Sequence, residues 1–370
     1  MTVKAETVAV TIVTHNSELY VRRCLESVLS QDGPSLDIVV VDNASHDATC
    51  SIMERYQKQV RLIYNQENVG FPAAQNQAIQ ATSSDWVLVL NPDVLLTQGF
   101  ITSLVKKGNL NASIGTVCGK LLRAGPGLSI PIERRLDSAG IYFTPTFRHF
   151  DRGMHELDGE EFNEPAFVFG STAAAALYRR QMIQDVSIEG EFFDEEFFLY
   201  REDADLSWRA QLMGWKCLYF PEAVGYHVRR VFPDSRRELP ALINLHSVKN
   251  RFLMRLKNVT GPLYMRNFLT VTARDLAILG YCLSIEQTSL KAFISVVKSM
   301  RRTWSKRRII QQKRKVSDAY LRSWFRFSPA VIPVDLNSLP DPHAAAVARG
   351  TSSVLQVPAR RANQSRLPQL

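Results

Sequence analysis

The sequence predicts an α/β fold with a mostly parallel central sheet and helices on both of its faces. Three observations support this prediction. Four short segments rich in β-branched apolar residues occur within the first hundred residues. Segments with apolar residues at helical spacing separate them, so the elements alternate β-α-β-α-β-α-β. Polar residues follow each predicted strand, and ligands of open α/β sheets bind at the carboxyl ends of the strands.

The first two strands are predicted at residues 8–13 and 36–41. The first ends in the polar turn Thr14-His15-Asn16-Ser17, which can cap a helix whose apolar positions recur between residues 19 and 29. The second ends in Asp42-Asn43, and a helix is expected at about residues 48–56. Both strands therefore deliver polar side chains to one edge of the sheet.

The third strand is predicted at residues 60–64, and a helix starting at Pro72, a favoured first-turn residue, follows it. The fourth strand, residues 87–90, consists of apolar residues alone, as is typical of strands buried on both faces. Pro92 cannot donate to a sheet ladder and must end it. Asn91 and Asp93 are thus placed at the carboxyl end of a central strand, where Asp93 could bind a divalent cation. An ordinary turn explains Asn-Pro-Asp equally well.

The elements beyond residue 100 are less regular. A long loop-rich insertion at residues 123–164 is expected to shape a substrate site. The remaining predictions are helices at 100–107 and 202–213, strands at 115–122, 141–143, 166–170 and 216–221, a strand or helix at 173–180, a turn region at 223–230 holding His227, basic helices from 240 to 327, and a disordered tail after 328.

Charge divides the chain into two parts. Residues 1–228 contain 19 Lys and Arg and 29 Asp and Glu, whereas residues 229–330 contain 22 basic and 5 acidic residues. Such asymmetry indicates parts with different partners. We therefore predict a catalytic domain at 1–230, a basic helical extension at 231–328 and a tail at 329–370.

Glu202 and Asp203 are the strongest acid–base candidates. In a helix that begins near residue 202, Glu202, Asp205 and Arg209 share one face, so Arg209 could neutralise either acid. Asp203 points elsewhere, and the positive helix end would lower its pKa and keep it ionised. An ionised carboxylate in a cleft can take a proton from an attacking hydroxyl. The alternative is that these acids merely decorate a helix N-terminus.

Several other polar residues are weaker candidates. Asp42 could accept a hydrogen bond from a base or a ribose, or could simply cap a helix. Gly70, in Asn68-Val69-Gly70-Phe71, could allow a backbone to approach a ligand. His227 could bind a metal or a phosphate, and a structural histidine is nearly as good an interpretation. The chain lacks both the GxGxxG dinucleotide motif and the phosphate-binding GxxxxGK[ST] loop.

The five cysteines are scattered and form no CxxC pair, which argues against a zinc site or a disulfide framework and fits the cytosol. We expect no signal segment and no membrane span, because apolar runs are short and interrupted by charges.

The basic extension allows three interpretations. Eight Lys and Arg residues lie between residues 301 and 315 without one acid, and apolar residues are interleaved upstream. This pattern is typical of helices that dock on an anionic membrane, here the inner face of the plasma membrane. The helices could instead pack their apolar side on the catalytic domain. Nucleic-acid binding is the weakest interpretation, since no recognised module surrounds the charge.

With these motifs in place, residues 8–230 resemble the inverting family 2 glycosyltransferases of the GT-A fold, and most closely the bacterial rhamnosyltransferase-like branch. Five motifs in the same order carry the resemblance: Val13-Thr14-His15-Asn16, Val41-Asp42-Asn43-Ala44-Ser45, Asn68-Val69-Gly70-Phe71 with Asn76, Asn91-Pro92-Asp93, and Phe193 to Arg209 with Glu202-Asp203. Leu136-Asp137-Ser138-Ala139-Gly140 also resembles this branch.

The resemblance implies transfer of a sugar, with rhamnose one option, from a nucleoside-diphosphate sugar to a hydroxyl of a glycan or lipid-linked acceptor in cell-surface polysaccharide synthesis. Asp203, with Glu202, would supply the general base. Mn²⁺ or Mg²⁺ would bind at Asp93 and His227. Donor binding would fall to Thr14, Asn16, Asp42, Asn43, Asn68, Gly70, Asn76 and Asn91.

This chain departs from the family pattern at two positions. Asn91 replaces the first aspartate of the family's Asp-x-Asp, which weakens the expectation of strict metal dependence. His15 stands where an aromatic residue is common. Two alternatives are a nucleotidyltransferase, which would want a Gly-rich basic loop after the first strand, and a nucleotide-sugar-binding or scaffold protein with a decayed site.

Overall fold

The computed structural model describes residues 6–229 and 240–334. Its strands are β1 (Thr7–Thr14), β2 (Ser35–Asp42), β3 (Arg61–Tyr64), β4 (Trp86–Leu90), β5 (Val94–Leu96), β6 (Ile114–Arg123), β7 (Leu136–Ser138), β8 (Ile141–Phe143), β9 (His149–Asp151), β10 (Ala166–Val168), β11 (Ala175–Arg179), β12 (Lys216–His227) and β13 (Ile332–Pro333). Its α-helices are α1 (Val21–Leu29), α2 (Thr49–Met53), α3 (Phe71–Gln80), α4 (Phe100–Gly108), α5 (Arg180–Val186), α6 (Glu202–Leu212), α7 (Ala241–Asn258), α8 (Gly261–Arg266), α9 (Phe268–Ser284), α10 (Leu290–Lys313) and α11 (Asp318–Trp324).

One large sheet organises the molecule, with the strand order β13-β10-β12-β6-β11-β4-β1-β2-β3. Strands β3, β2, β1 and β4 are parallel, and β6 and β12 are parallel to each other. Strand β11 runs antiparallel between β4 and β6. The prediction of a mostly parallel sheet is confirmed, and β1, β2 and β4 end at the same edge.

The predicted elements of the first hundred residues are present with small shifts at their ends. Three segments differ from the predictions. Residues 94–96 form strand β5, which the sequence did not indicate. In the segment predicted at 173–180, Ala175–Arg179 form strand β11, and helix α5 begins at Arg180. Instead of a separate strand at 216–221 and a turn region from 223, one strand, β12, runs from Lys216 to His227, with an irregular register between Phe220 and Val224.

The C-terminal helices share one hydrophobic core with the sheet. Met254 of α7, Ile310 of α10 and Trp324 of α11 are buried in the same cluster as β4 and Trp208 of α6. Within the described ranges, no helix combines the length and apolar character that crossing a membrane requires. The predicted boundary at 230/231 and the tail beyond 334 lie outside the described residues. The start of the predicted tail instead pairs with β10.

Buried ion pairs join the two oppositely charged parts. Asp194, which precedes α6, accepts hydrogen bonds from Lys257 of α7 and from Lys306 of α10, the latter at 2.7 Å. Both lysines are buried. Lys257 also lies 3.0 Å from Asp205 of α6. Basic residues of the extension therefore neutralise acids of the catalytic part.

Candidate active site

A cleft of about 740 Å³ lies at the carboxyl end of β4, between the sheet, the insertion and the C-terminal helices. This volume is within the range of small-molecule sites. Five of the predicted site residues line it: Asn91, Asp93, Glu202, Asp203 and His227. The structure thus brings together residues from three distant stretches of the chain.

Strand pairing places His227 beside Asp93. In the antiparallel pair of β5 and β12, His227 lies opposite Val94. The backbone N–H of Val228 donates to the carbonyl oxygen of Asp93 at 3.1 Å. As a result, His227 Nε2 lies 3.5 Å from Asp93 Oδ1.

Asp137 orients the imidazole of His227 from the other side. His227 Nδ1 lies 2.7 Å from Asp137 Oδ2, and Arg229 Nε donates to Asp137 Oδ1 at 2.6 Å. Burial alone would lower the pKa of His227, but the carboxylates of Asp137 and Asp93 raise it to about 10. Likewise, His227 and Arg229 outweigh burial and hold the pKa of Asp137 well below its usual value.

Asp93 and His227 fit two positions of a divalent metal site. A carboxylate oxygen and an imidazole nitrogen face each other, and the second imidazole nitrogen is held by a carboxylate, as in many metal-bound histidines. Among the described residues, no group of three or more metal-binding side chains is found. Further ligands would have to come from water or from a bound diphosphate, as Mg²⁺ sites commonly require.

Asp203 is held in the cleft by backbone donors. Its carboxylate accepts from Ala204 N at 2.7 Å and from Ala173 N at 3.4 Å. Burial, followed by the negative charge of Asp151, nevertheless raises its pKa to about 6. The expectation that the helix end would lower this pKa was wrong, because these two effects outweigh the backbone donors. At neutral pH Asp203 is still predominantly ionised.

Glu202 lies beside Asp203 instead of pairing with Arg209. Arg209 Nε donates to Asp205 at 3.0 Å, and its other nitrogens bind backbone carbonyls. Glu202 Oε2 is buried and has no hydrogen-bond partner in the described structure. Burial and the neighbouring charge of Asp203 raise the pKa of Glu202 to about 8. One acid of the pair is therefore protonated at neutral pH, and the other is free to act as a base.

A strained turn immediately precedes Glu202 and Asp203. Phe198, Tyr200 and Arg201 all adopt positive φ, between 61° and 71°. Asn250 of α7 stabilises the turn, because its side-chain N–H groups donate to the carbonyls of Phe197, Leu199 and Tyr200. A helix of the basic extension thus positions the start of α6.

The predicted donor-binding residues form a separate cluster at the ends of β1 and β2. Asp42 accepts from Thr14 Oγ1 at 2.9 Å and from the backbone N–H and hydroxyl of Ser45. Asn43 donates to Asn68 at 2.9 Å. These residues share the edge of the sheet with Asn91 but do not line the cleft. Since β1 lies between β2 and β4, the ends of those two strands are roughly 10 Å apart.

Gly70 and Asn76 are both enclosed by other residues of the protein. Gly70 has φ 87°, and a Cβ there would lie 2.6 Å from the carbonyl oxygen of Phe198, so a close backbone contact requires glycine. Asn76 is buried, donates to Phe193 O and Glu195, and accepts from Phe193 N. We expected both near a nucleotide. The structure shows that both contact the 193–198 segment. Asn16 is exposed at φ 50°, with its side chain accepting from His46 N.

Comparison with known proteins identifies the chemistry. The family model described as "Glycosyl transferase family 2" matches residues 9–186. The chain therefore contains a glycosyltransferase family 2 domain. It is therefore a glycosyltransferase, and this favours sugar transfer over the nucleotidyltransferase and scaffold alternatives.

Curated glycosyltransferases are similar to this chain at modest identity. An N-acetylglucosaminyl-diphospho-decaprenol L-rhamnosyltransferase of Mycobacterium tuberculosis is 27% identical over 244 residues, or 59% of this chain and 75% of that one. A GalNAc(5)-diNAcBac-PP-undecaprenol beta-1,3-glucosyltransferase of Campylobacter jejuni is 24% identical over 261 residues, or 70% of this chain and 75% of that one.

Solved structures show the fold. The crystal structure of GalNAc-T7 with UDP, GalNAc and Mn²⁺ has a TM-score of 0.55 and 15% identity. The match covers 69% of this chain and 48% of that chain, so this glycosyltransferase spans about half of that structure. The predicted GT-A fold is confirmed.

Sequence reasoning missed several cleft residues of this glycosyltransferase. Asp151 of β9 lines the cleft and is bound by Arg229 at 2.8 Å. Asp137 belongs to the 136–140 stretch, which the sequence analysis noted only for its resemblance to the rhamnosyltransferase-like branch. In the structure its carboxylate contacts His227 Nδ1. Arg251 and Arg274 come from the helical extension. Their charge was visible in the sequence, but no local pattern indicated that they reach the cleft.

Proposed function

We propose that this glycosyltransferase inverts the anomeric centre of a nucleoside-diphosphate sugar while moving the sugar to a hydroxyl of a glycan or lipid-linked acceptor in cell-surface polysaccharide synthesis. The observation that carries the proposal is the convergence of Asp93, His227 and Asp203 on one cleft. The names of the rhamnosyltransferase and glucosyltransferase relatives support a polysaccharide role. Rhamnose is the first donor sugar to test.

In the proposed reaction, the acceptor oxygen bonds to the anomeric carbon as the bond from that carbon to the diphosphate oxygen breaks. The acceptor proton passes to the Asp203 carboxylate, and the electron pair leaves with the diphosphate. Two backbone N–H groups fix Asp203 for this step. The protonated state of Glu202 avoids a second negative charge beside the base.

We propose that Asp93 and His227 hold the diphosphate end of the donor. A divalent cation bound there would offset the charge that develops on the departing diphosphate. His227 would release its proton to ligate such a cation, and Asp137 would keep the ring oriented. Asp42, Asn43, Thr14 and Asn16 remain our candidates for the nucleoside, because they lie at the ends of β1, which pairs with β4, and of β2, which pairs with β1.

We propose that the enzyme acts in the cytoplasm and attaches peripherally to the inner face of the plasma membrane. Part of its basic run is engaged within the protein, since Arg302, Lys306, Lys313 and Lys315 contact residues 185–194. Support for attachment comes from exposed apolar side chains on α9 and α10, including Leu269, Leu276, Leu283, Ile294 and Val297.

A donor screen tests the proposed function. Release of nucleoside diphosphate from a panel of nucleotide sugars would be followed with Mn²⁺ and with EDTA. We expect one donor to be turned over, Asp203→Asn to lower kcat at least a hundredfold with little change in donor KM, and exposed Glu222→Gln to behave as wild type. Near-normal turnover by Asp203→Asn would remove the assigned base.

A further inference from the structure

We propose that Asn68 is a positioning residue for the transfer reaction: it fixes the turn before Glu202 and thereby sets where Asp203 lies in the cleft. The inference rests on the proposed function, in which Asp203 is the base. The resemblance implies donor binding by Asn68. In the structure Asn68 does not line the cleft, and its side chain bonds the segment that contacts the turn.

The turn at residues 198–201 needs support from outside itself. Three of its four residues have positive φ, a conformation that persists in residues with side chains only where surrounding contacts impose it. Asn250 binds three of the four carbonyls of residues 197–200. The remaining carbonyl, that of Phe198, accepts from the backbone N–H of Phe71 at 2.9 Å. The start of α3 is therefore the second support of the turn.

Gly70 brings the start of α3 into direct contact with the turn. A Cβ at Gly70 would lie 2.6 Å from the carbonyl oxygen of Phe198 and 2.9 Å from its Cα. Because the two backbones touch, Gly70 cannot move toward the turn. A movement away from it would break the hydrogen bond between Phe71 and Phe198. The position of Gly70 therefore controls that of Phe198.

Asn68 fixes Gly70 through a single oxygen atom. Asn68 Oδ1 accepts from the backbone N–H of Gly70 at 2.9 Å and from Nδ2 of Asn43, also at 2.9 Å. Asn43 Oδ1 accepts in turn from the backbone N–H of Val69 at 3.1 Å. Asn43 is buried and directly follows β2. The Asn68 oxygen thus ties Gly70 to the edge of the central sheet.

This series of contacts ends at the base. Glu202 and Asp203 follow the turn directly, and the carbonyl of Arg201 accepts from Asp205 N at 2.9 Å at the start of α6. A catalytic group must be held within about 0.5 Å of its productive position. A displacement of about 1 Å can lower the rate roughly a hundredfold. Loss of the Asn68 oxygen should therefore lower kcat although Asn68 touches no reacting atom.

Kinetics of three variants test the inference with the donor that the screen identifies. Asn68→Ala removes the oxygen and should lower kcat about tenfold, with donor KM within about twofold of wild type. Asn68→Asp keeps an oxygen that can accept from both N–H groups and should retain most of kcat. Asn65→Ala is the matched control, because Asn65 donates to Asn43 at 3.1 Å and to Gln77 at 3.0 Å. It should leave kcat unchanged.

Amide hydrogen exchange of the full chain, followed without donor, gives a readout that requires no activity. Exchange in peptides that span residues 198–205 should be on the order of tenfold faster in Asn68→Ala than in wild type. It should be unchanged in Asn68→Asp and in Asn65→Ala. Equally fast exchange in Asn65→Ala would overturn the inference, because the effect would then be a general loosening of this region.

The outcomes separate this inference from the proposed function. A raised donor KM in Asn68→Ala, with kcat and exchange unaltered, would overturn the inference and assign Asn68 to donor binding. Equal losses of kcat in Asn68→Ala and Asn68→Asp would also overturn it, because the second variant keeps the oxygen. Faster exchange confined to Asn68→Ala, with no donor turned over by wild type, would contradict the proposed function and leave Asn68 as the support of the turn.

Discussion

His227 Nε2 lies 3.5 Å from Oδ1 of Asp93 because β5 and β12 pair with His227 opposite Val94. The two residues are far apart in the chain, and neither belongs to a motif that contains the other. Under the proposed function, this contact would let the cleft hold a cation although Asn91 replaces the first aspartate of the family motif.

Removal of divalent metal should lower turnover. We expect EDTA to reduce nucleoside diphosphate release at least tenfold and Mn²⁺ or Mg²⁺ to restore it, since a cation would offset leaving-group charge. Asp93→Asn should not respond to added metal, whereas Glu222→Gln should respond like wild type. Turnover that is insensitive to EDTA would show that the imidazolium of His227 suffices without a cation.

The pH dependence of kcat should report the ionisation of Asp203. Burial and the charge of Asp151 raise the pKa of Asp203 to about 6, and a base must be ionised, so kcat should rise with pH and level off above about 6. Asp151→Asn removes one cause of the upward shift and should move this limb to lower pH, by roughly half a unit or more. An acid limb at the same pH in both proteins would argue against Asp203.

Glu202 should make stability depend on pH. Its folded pKa of about 8 is above the unfolded value of 4.5, so the native state retains the proton more strongly. The stabilisation from that proton is complete below about pH 4.5 and is lost as pH rises through 8. Glu202→Gln should therefore gain stability relative to wild type between pH 6 and 9, by on the order of 2 kcal/mol.

Urea unfolding at several pH values would measure this difference, with Glu222→Gln as the exposed control. A constant difference between Glu202→Gln and wild type across the range would mean that Glu202 is ionised throughout.

Asp194 should be the most sensitive acid outside the cleft. It accepts from Lys257 and Lys306, both buried, so Asp194→Asn leaves two buried positive charges with a weaker partner. We expect a loss of about 3 kcal/mol or more in unfolding free energy, measured in urea. Glu189→Gln on the exposed surface nearby is the matched control. A loss below about 1 kcal/mol would show that water compensates the lysines.

Much of the fold could be predicted because it depends on local patterns. Strands β1, β2 and β4 consist mainly of apolar β-branched and aliphatic residues, and the helices between them show clear helical spacing. Strand β5 was missed because three residues carry no periodicity, and its existence depends on pairing with β12. The positions of Asp93 and Asp203 in the cleft followed from strand and helix ends.

The electrostatics could not be predicted from local sequence. The pKa of Asp203 depends on burial and on Asp151, which β9 of the insertion supplies. Arg209 forms its ion pair with Asp205 because tertiary packing buries both side chains together. The opposite charges of the two parts suggested different partners, yet Lys257 and Lys306 show that the parts are in large measure partners of each other.

The turn from Phe198 to Arg201 shows a practical consequence of the contacts between the catalytic part and the C-terminal helices. Its carbonyls are bonded by Asn250 of α7, so a chain shortened to the family-matched segment and the strands after it would lack the side chain that shapes the approach to Asp203. The same truncation would remove Lys257 and Lys306, which form ion pairs with Asp194. Such a fragment should be inactive even with every residue of the acidic pair intact, and recombinant work should retain the sequence through α11.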